Sequence, residues 1–322
     1  LEKYDLPEAA TGQGRTAEKI GKNRTEAEQA AAEAIKQGIK VQESNVFLEG
    51  GNVLATGGKV IIGRSSIIVN SELLESRGQL DPQRISQIAS STNWDKDEMD
   101  LAIQMAKNTI PSDTPEKEIE NTAKIILAKF ELTKEFIAKD LNIDPKDIVT
   151  VSQPTFHIDM EMRPLSDNKI LLNDPKLMNE TIDKALRNTP LEKKTLLDMK
   201  YNEHELSALN YVLDRTQKEL EKAGFEVIRA PGNSGQGRIN KNSRIANIMN
   251  GTIGQTPSGE TLYLTNSSGI PALDKVHGEW LKQNANINQV EFLHHSLLEL
   301  EGGWDCITVG DLPIDNRPDQ HS

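Results

Sequence analysis

Short strand-forming runs recur along this chain, cut by glycine pairs and alternating with amphipathic helices, and no other feature limits the fold as much. The first set is a helix over Glu26 to Gln37, with Gly38 placed for a left-handed cap. It is followed by β-type runs Ile39 to Gln42, Asn45 to Leu48, Val53 to Ala55 and Lys59 to Ile62, separated at Gly50-Gly51 and Gly57-Gly58. The second set has a helix from Pro115 to Leu141, with Ile119, Ala123, Ile126, Leu127 and Phe130 on one face. Strands at Asp147 to Ser152, Thr155 to Met162 and Lys169 to Leu172 come next. A third runs from the helix Glu205 to Lys222 through Phe225 to Arg229, Ile245 to Asn250 and Thr261 to Leu264. A fourth has the helix Ala272 to Lys282 and strands Gln289 to Phe292, Ser296 to Leu298 and Cys306 to Val309. Such a unit cannot bury its sheet alone and needs neighbours of the same kind. The expectation is therefore an α/β chain of ββαβ-like repeats: an arm over 1–25, one propeller-like domain over 26–322, and a polar helical insertion over 71–113.

With 322 residues the chain can bury a full core without disulfides. Forty-nine acidic residues against 37 basic ones give a net charge of −12, which opposes broad binding to nucleic acid or anionic membranes and favours a cationic ligand. Cys306 is the single cysteine, so no internal disulfide can form, and a cytoplasmic or otherwise reducing compartment is expected. No apolar run is long enough to span a bilayer, which makes a soluble protein the expectation. The chain opens at Leu1 with no initiator methionine and no leader pattern, and so reads as a processed or partial chain.

Three constellations carry candidate chemistry. In Glu49-Gly50-Gly51-Asn52-Val53, two glycines permit a sharp turn or a close backbone approach and leave the carboxylate at its mouth. An exposed glutamate beside an ordinary glycine turn is the commoner case. In Phe156-His157-Ile158-Asp159-Met160, strand alternation would project His157 and Asp159 together, an acid/base group with a carboxylate, while a surface His beside a surface Asp is the commoner case. In Glu301-Gly302-Gly303-Trp304-Asp305-Cys306, a diglycine loop leads to the cysteine, which in most proteins would be a small core residue. If a ring of repeats brings Glu49, His157, Asp159 and Cys306 to one pocket, carboxylates, imidazole and thiol suit a planar cation such as a guanidinium.

The segments LEGGNVLATGGKVIIGRSS, QPTFHIDMEMRPLSDNKILLNDP and ELEGGWDCIT resemble the guanidine-modifying enzymes of the pentein superfamily, a five-bladed α/β propeller, and among them arginine deiminases most. NIMNGTI and YLTNSSGIPALD match more loosely, and the resemblance spans about Glu26 to Asp311 apart from the insertion. It implies that Cys306 attacks the guanidinium carbon to give a thiouronium, and that His157 protonates the departing amine and then activates water. Glu49 and Asp159 would grip the guanidinium, with Arg64 and Asn247 as further substrate-binding residues. No metal or organic cofactor is implied. The substrate would be a small guanidine or an arginine side chain of a protein. Four units are read where five blades are expected, so either a first blade bearing another substrate-binding aspartate is missing or the ring closes differently. Relatives often carry His where this chain has Asp305. Two alternatives stay open: amidino transfer through the same nucleophile, and an inactive pentein domain that binds a partner. His294-His295 lacks partners at metal-ligand spacing, and Gly232-Asn233-Ser234-Gly235-Gln236-Gly237 lacks the ending of a phosphate loop; both read as structure.

Overall fold

The computed structural model describes residues 32–33, 35–38, 44–155, 157–187, 189, 192–233 and 246–294. The 1–25 arm, the strands expected at 39–42, 296–298 and 306–309, Phe156, and the whole Glu301 to Cys306 segment lie outside these residues. In chain order the elements are β1 Val53–Thr56, β2 Lys59–Gly63, α1 Arg64–Ser76, α2 Pro82–Ser91, α3 Lys96–Thr109, α4 Glu116–Leu141, β3 Ile148–Val151, β4 Met162–Ser166 and β5 Lys169–Asp174. They continue with α5 Pro175–Leu186, α6 Lys193–Asp198, α7 Glu203–Lys222, β6 Glu226–Pro231, β7 Thr252–Gln255, β8 Thr261–Asn266, α8 Pro271–Asn284 and β9 Gln289–Leu293. The strands form three small sheets, ordered β1-β2-β3, β4-β5-β6 and β7-β8-β9, so the chain is α/β. Each sheet is a hairpin, one or more helices, and a returning strand. Three such units are described where four were expected, and each is framed as hairpin first and helix second. Among the described residues no helix is long and apolar enough to cross a membrane.

By its contacts the chain divides into two units, one of 1–172 with 202–227, the other of 173–201 with 228–322. In the first, β1 and β2 pair antiparallel around Gly57 and Gly58, whose φ of +57° and +72° are the left-handed values a tight hairpin needs. Gly57 is constrained twice, because a Cβ there would stand 1.9 Å from the Asp167 carbonyl oxygen. β3 joins β2 in parallel, with Val60 opposite Ile148 and Gly63 opposite Val151, a pairing that requires a crossover. The crossover is α1 to α4, and the 71–113 segment holds the end of α1 and all of α2 and α3. Asp81 caps α2 by accepting from the Gln83 N–H, Asp95 caps α3 by accepting from the Glu98 N–H, and Asn142 ends α4 at φ +54°. Ile62, Ile67, Ala102, Ala106, Leu127, Phe130, Ile137 and Ile148 meet in one core between these helices and the β2–β3 face. α7 opens with a capping box between Asn202 and Glu205, and β6 begins beside β5, with the Glu226 N–H donating to the Asn168 carbonyl at 2.7 Å.

In the second unit, Asp174 accepts from the N–H groups of Lys176 and Leu177 and starts α5, with Pro175 at its first position. Met178, Ile182, Leu196, Met199, Ala246, Ile270 and Leu273 pack together there. β7 and β8 pair antiparallel, and β9 returns parallel to β8 after α8.

Three expected strands fold otherwise. Residues Asn45 to Leu48 form none, because the Asn70 amide accepts from the Phe47 N–H and donates to the Phe47 carbonyl, both at 2.7 Å, taking the groups a ladder would use. Within Thr155 to Met162 the chain makes a 3-10 turn over Ile158–Met160 instead, closed by the Glu161 N–H on the Ile158 carbonyl, and β4 starts only at Met162. Of Ile245 to Asn250, the described part makes a single bridge from Ala246 to Asn233 and then bends.

Candidate functional site

Glu49 stands on the residue before a 3-10 turn over Gly50–Asn52, and His157 on the residue before the 3-10 turn Ile158–Met160. Both turns belong to the first unit. They bring the Glu49 Oε2 within 3.2 Å of the His157 Nε2, with the two side chains about one-fifth exposed. The carboxylate and the imidazole are therefore reachable from solvent, while Asn52, Ile158, Asp159 and Met160 beside them are buried.

What fixes this pair is a set of buried amides and hydroxyls. Asn52, wholly buried, accepts at Oδ1 from the Gln153 Nε2 at 3.0 Å and from the Ile158 N–H at 3.2 Å, and its Nδ2 donates to the Ser65 hydroxyl at 3.2 Å. Gln153, also wholly buried, donates to the Thr155 carbonyl at 2.8 Å, and the Thr155 hydroxyl donates to the His157 carbonyl at 2.6 Å. The Glu49 turn is thus tied to the His157 turn through two buried side chains. Two glycines make room for the arrangement. A Cβ on Gly51 would stand 2.4 Å from the His157 Nδ1, and one on Gly63 would stand 2.0 Å from the Gln153 Oε1. The glycine requirement read in Glu49-Gly50-Gly51 therefore falls on Gly51, since nothing lies within 4 Å of a Cβ on Gly50.

Asp159 sits in the middle of its turn and is 2% exposed, with Ile158 and Met160 equally buried beside it. The alternation argument that put His157 and Asp159 on one strand face does not apply in a 3-10 turn, and the His157 ring stands against Glu49. Arg64 is turned elsewhere. It begins α1, and its Nη2 is 2.7 Å from the Glu219 Oε1, with the arginine side chain 8% exposed. Glu219 also accepts from the Arg215 Nε at 3.0 Å and from the Ser152 hydroxyl at 3.0 Å. Asn247, in the second unit, is buried, and its Oδ1 accepts from the Met249 N–H at 2.7 Å. Cys306 lies outside the described residues. Among those described, no cluster of His, Cys, Asp and Glu can hold a metal ion.

Asn52, Ser65, Gln153 and Thr155 escape a sequence reading. The one signal available is Asn52 itself, a polar residue directly after the glycine pair and before a strand.

No protein-family model matches the chain, and no curated protein does. Among solved structures it is similar to an agmatine deiminase of C. jejuni, at 12% identity over 87% of this chain and 60% of that one, with a TM-score of 0.44. A Cys-to-Ser variant of a C. jejuni agmatine deiminase with substrate bound gives 12% identity over 93% of this chain and 64% of that one, with a TM-score of 0.42. The chain thus spans about three-fifths of the length of these structures.

Proposed function

We propose that this chain is a pentein-type α/β-propeller domain that hydrolyses the guanidino group of arginine or an arginine derivative, releasing ammonia and leaving a ureido product. The observation that carries the reading is the 3.2 Å approach of the Glu49 carboxylate to the His157 imidazole on two mutually tied turns. A carboxylate can accept guanidinium N–H groups where an imidazole is at hand for the departing nitrogen. The net charge of −12 favours a cationic substrate.

In this reading the Cys306 thiolate forms a bond from Sγ to the guanidinium carbon. A C–N bond then breaks, and the nitrogen leaves as ammonia with a proton from His157, giving a thiouronium. Water gives one proton to His157 and bonds through its oxygen to the same carbon, the C–S bond breaks as the hydroxyl proton passes to solvent, and the thiolate is restored with the ureido product. Glu49 and Asp159 hold the guanidinium N–H groups in both steps. The test is incubation with arginine, agmatine and an arginine-containing peptide, with assay of ammonia and of ureido product. Turnover of at least one guanidine is expected, with loss of both products in Cys306→Ala. Product that persists in that variant, or a folded protein that turns over none of the three, overturns the proposal. Product formed only when an amine acceptor is added replaces hydrolysis by amidino transfer.

A further inference from the structure

β3 ends at Val151, and the next residue, Ser152, is buried and held at three points by α7. The Glu219 Oε2 accepts from the Ser152 N–H at 2.5 Å, and the Glu219 Oε1 accepts from the Ser152 hydroxyl at 3.0 Å. The Thr216 hydroxyl stands 2.7 Å from the Ser152 carbonyl, closer than the 3.0 Å to the Val212 carbonyl of its own helix. Thr216 and Glu219 are three residues apart, the spacing that sets two side chains on one helix face.

Glu219 is itself fixed. Its Oε1 meets the Arg64 Nη2 at 2.7 Å and the Arg215 Nε at 3.0 Å, charge-assisted contacts that are stronger than neutral ones. Arg215 also donates from Nη2 to the Asp97 carbonyl at 2.5 Å. The first turn of α3, inside the 71–113 insertion, thereby braces an arginine that holds this carboxylate.

From Ser152 the path toward His157 is short and stiff. Gln153 is wholly buried, and its amide donates to the Asn52 Oδ1 and to the Thr155 carbonyl. Pro154 has φ locked by its ring and narrows the backbone choices of Gln153 before it. Thr155, also wholly buried, donates from its hydroxyl to the His157 carbonyl at 2.6 Å. A displacement of Ser152 is therefore met by fixed groups at each of the next three residues, and the last of them holds the backbone of His157.

We infer that Thr216 and Glu219 are positioning residues for His157: they fix Ser152 at the end of β3, and the Ser152-Gln153-Pro154-Thr155 segment carries that placement to the imidazole that faces Glu49. The inference rests on the reading of His157 as the proton carrier of turnover, but its first readout, the ring itself, does not.

The test compares Thr216→Val, Thr216→Ser and Thr133→Val with the parent, by NMR of ¹⁵N-labelled histidine and by ammonia release from arginine, agmatine and an arginine-containing peptide. Val keeps the shape of Thr and removes the donor, whereas Ser keeps the donor. Thr133 is the control: it is wholly buried in α4, and its hydroxyl donates to the Lys129 carbonyl at 2.8 Å, outside the Ser152 to His157 path. Thr216→Val should move the His157 ring signals, identified by their loss in His157→Gln. It should also lower kcat about tenfold with KM within about twofold, as a displaced reacting group does and lost substrate binding does not. Thr216→Ser should keep the ring signals in place and kcat within about twofold of the parent, and Thr133→Val should leave the signals where they are. If Thr216→Val fails to fold, Glu219→Asp carries the test: it keeps a carboxylate for the two arginines, draws it back from Ser152, and should move the same signals. Unmoved ring signals in the folded variant, equal movement in Thr133→Val or Thr216→Ser, or a raised KM with kcat unchanged each overturns the inference. A parent that turns over no guanidine refutes the reaction alone, since the ring signals still decide the positioning.

Discussion

Replacing Gly51 by alanine probes how closely the His157 ring is held against the Glu49 turn. The added Cβ would stand 2.4 Å from Nδ1 and 2.6 Å from Cγ of His157, where ordinary contact begins at 3.4 Å. Relief therefore requires the ring to withdraw by about 1 Å, and a displacement of that size at a reacting group costs on the order of 100-fold in rate. The backbone cannot follow freely, because the Thr155 hydroxyl holds the His157 carbonyl and the Asn52 side chain holds the Ile158 N–H. The ring must instead leave the Glu49 carboxylate, and overpacking of this kind costs about 1–3 kcal/mol in stability. Gly50→Ala is the matched control: its Cβ meets nothing within 4 Å, its φ is not positive, and its stability should stay within about 0.5 kcal/mol of the parent. The assay is denaturant unfolding of both variants, NMR of the His157 ring nitrogens, and ammonia release from the guanidines. Gly51→Ala should lose stability, shift the ring signals and lose activity, while Gly50→Ala should do none of these. Unchanged ring signals and stability in Gly51→Ala would refute the packing argument, and equal losses in both variants would trace the effect to the backbone.

Two further changes test other parts of the molecule. His277 is wholly buried, its Nε2 has no partner among the described residues, and burial pushes its pKa down to about 4 from 6.5. Above pH 6.5 the ring is neutral folded or unfolded; as pH falls from 6.5 toward 4 the unfolded chain takes up a proton that the folded one refuses, so about 3 kcal/mol should be lost by pH 4. Urea unfolding at pH 7 and near pH 4 should show this fall, and His277→Leu should flatten it; the same slope in both proteins would discredit His277 as its source. Asn52→Ala strips acceptors from the Gln153 amide and the Ile158 N–H and should cost on the order of 2 kcal/mol, read as a lowered denaturant midpoint with an unchanged slope. No change in midpoint would show that these bonds do not hold the two turns.

Much of this was legible because its signals are local. The Gly57-Gly58 turn, the apolar face of α4 and that of α7 each declare themselves within a few residues, and the structure has elements at those places. What escaped depends on partners far along the chain. The turn at Ile158–Met160 exists because Asn52 takes an N–H that a strand would have used. Residues Asn45 to Leu48 read as a β-type run, yet Asn70 binds both backbone groups of Phe47. The start of α1 was not read as a helix because its apolar residues Ile67, Ile68 and Val69 are consecutive and lie between buried Ser65, Ser66, Asn70 and Ser71, so no stripe at helical spacing announces it. At the site the residue types were legible and the partnership was not. The contact of the His157 ring with Glu49, 108 residues away in sequence, was not read. Arg64 was read as a ligand for substrate, and only the packing of α7 shows that Glu219 holds it.

The two hairpin-and-return sheets of known direction differ in how much polypeptide each must gather before it can close. Leu262 and Gln289 come together across a single helix, whereas Val60 and Ile148 close only around a four-helix excursion. The entropy of ring closure makes the longer circuit less favourable by about 1 kcal/mol. The β8–β9 seam is accordingly the one a newly collapsing chain can knit early, and the β2–β3 seam must wait until its helical detour has condensed.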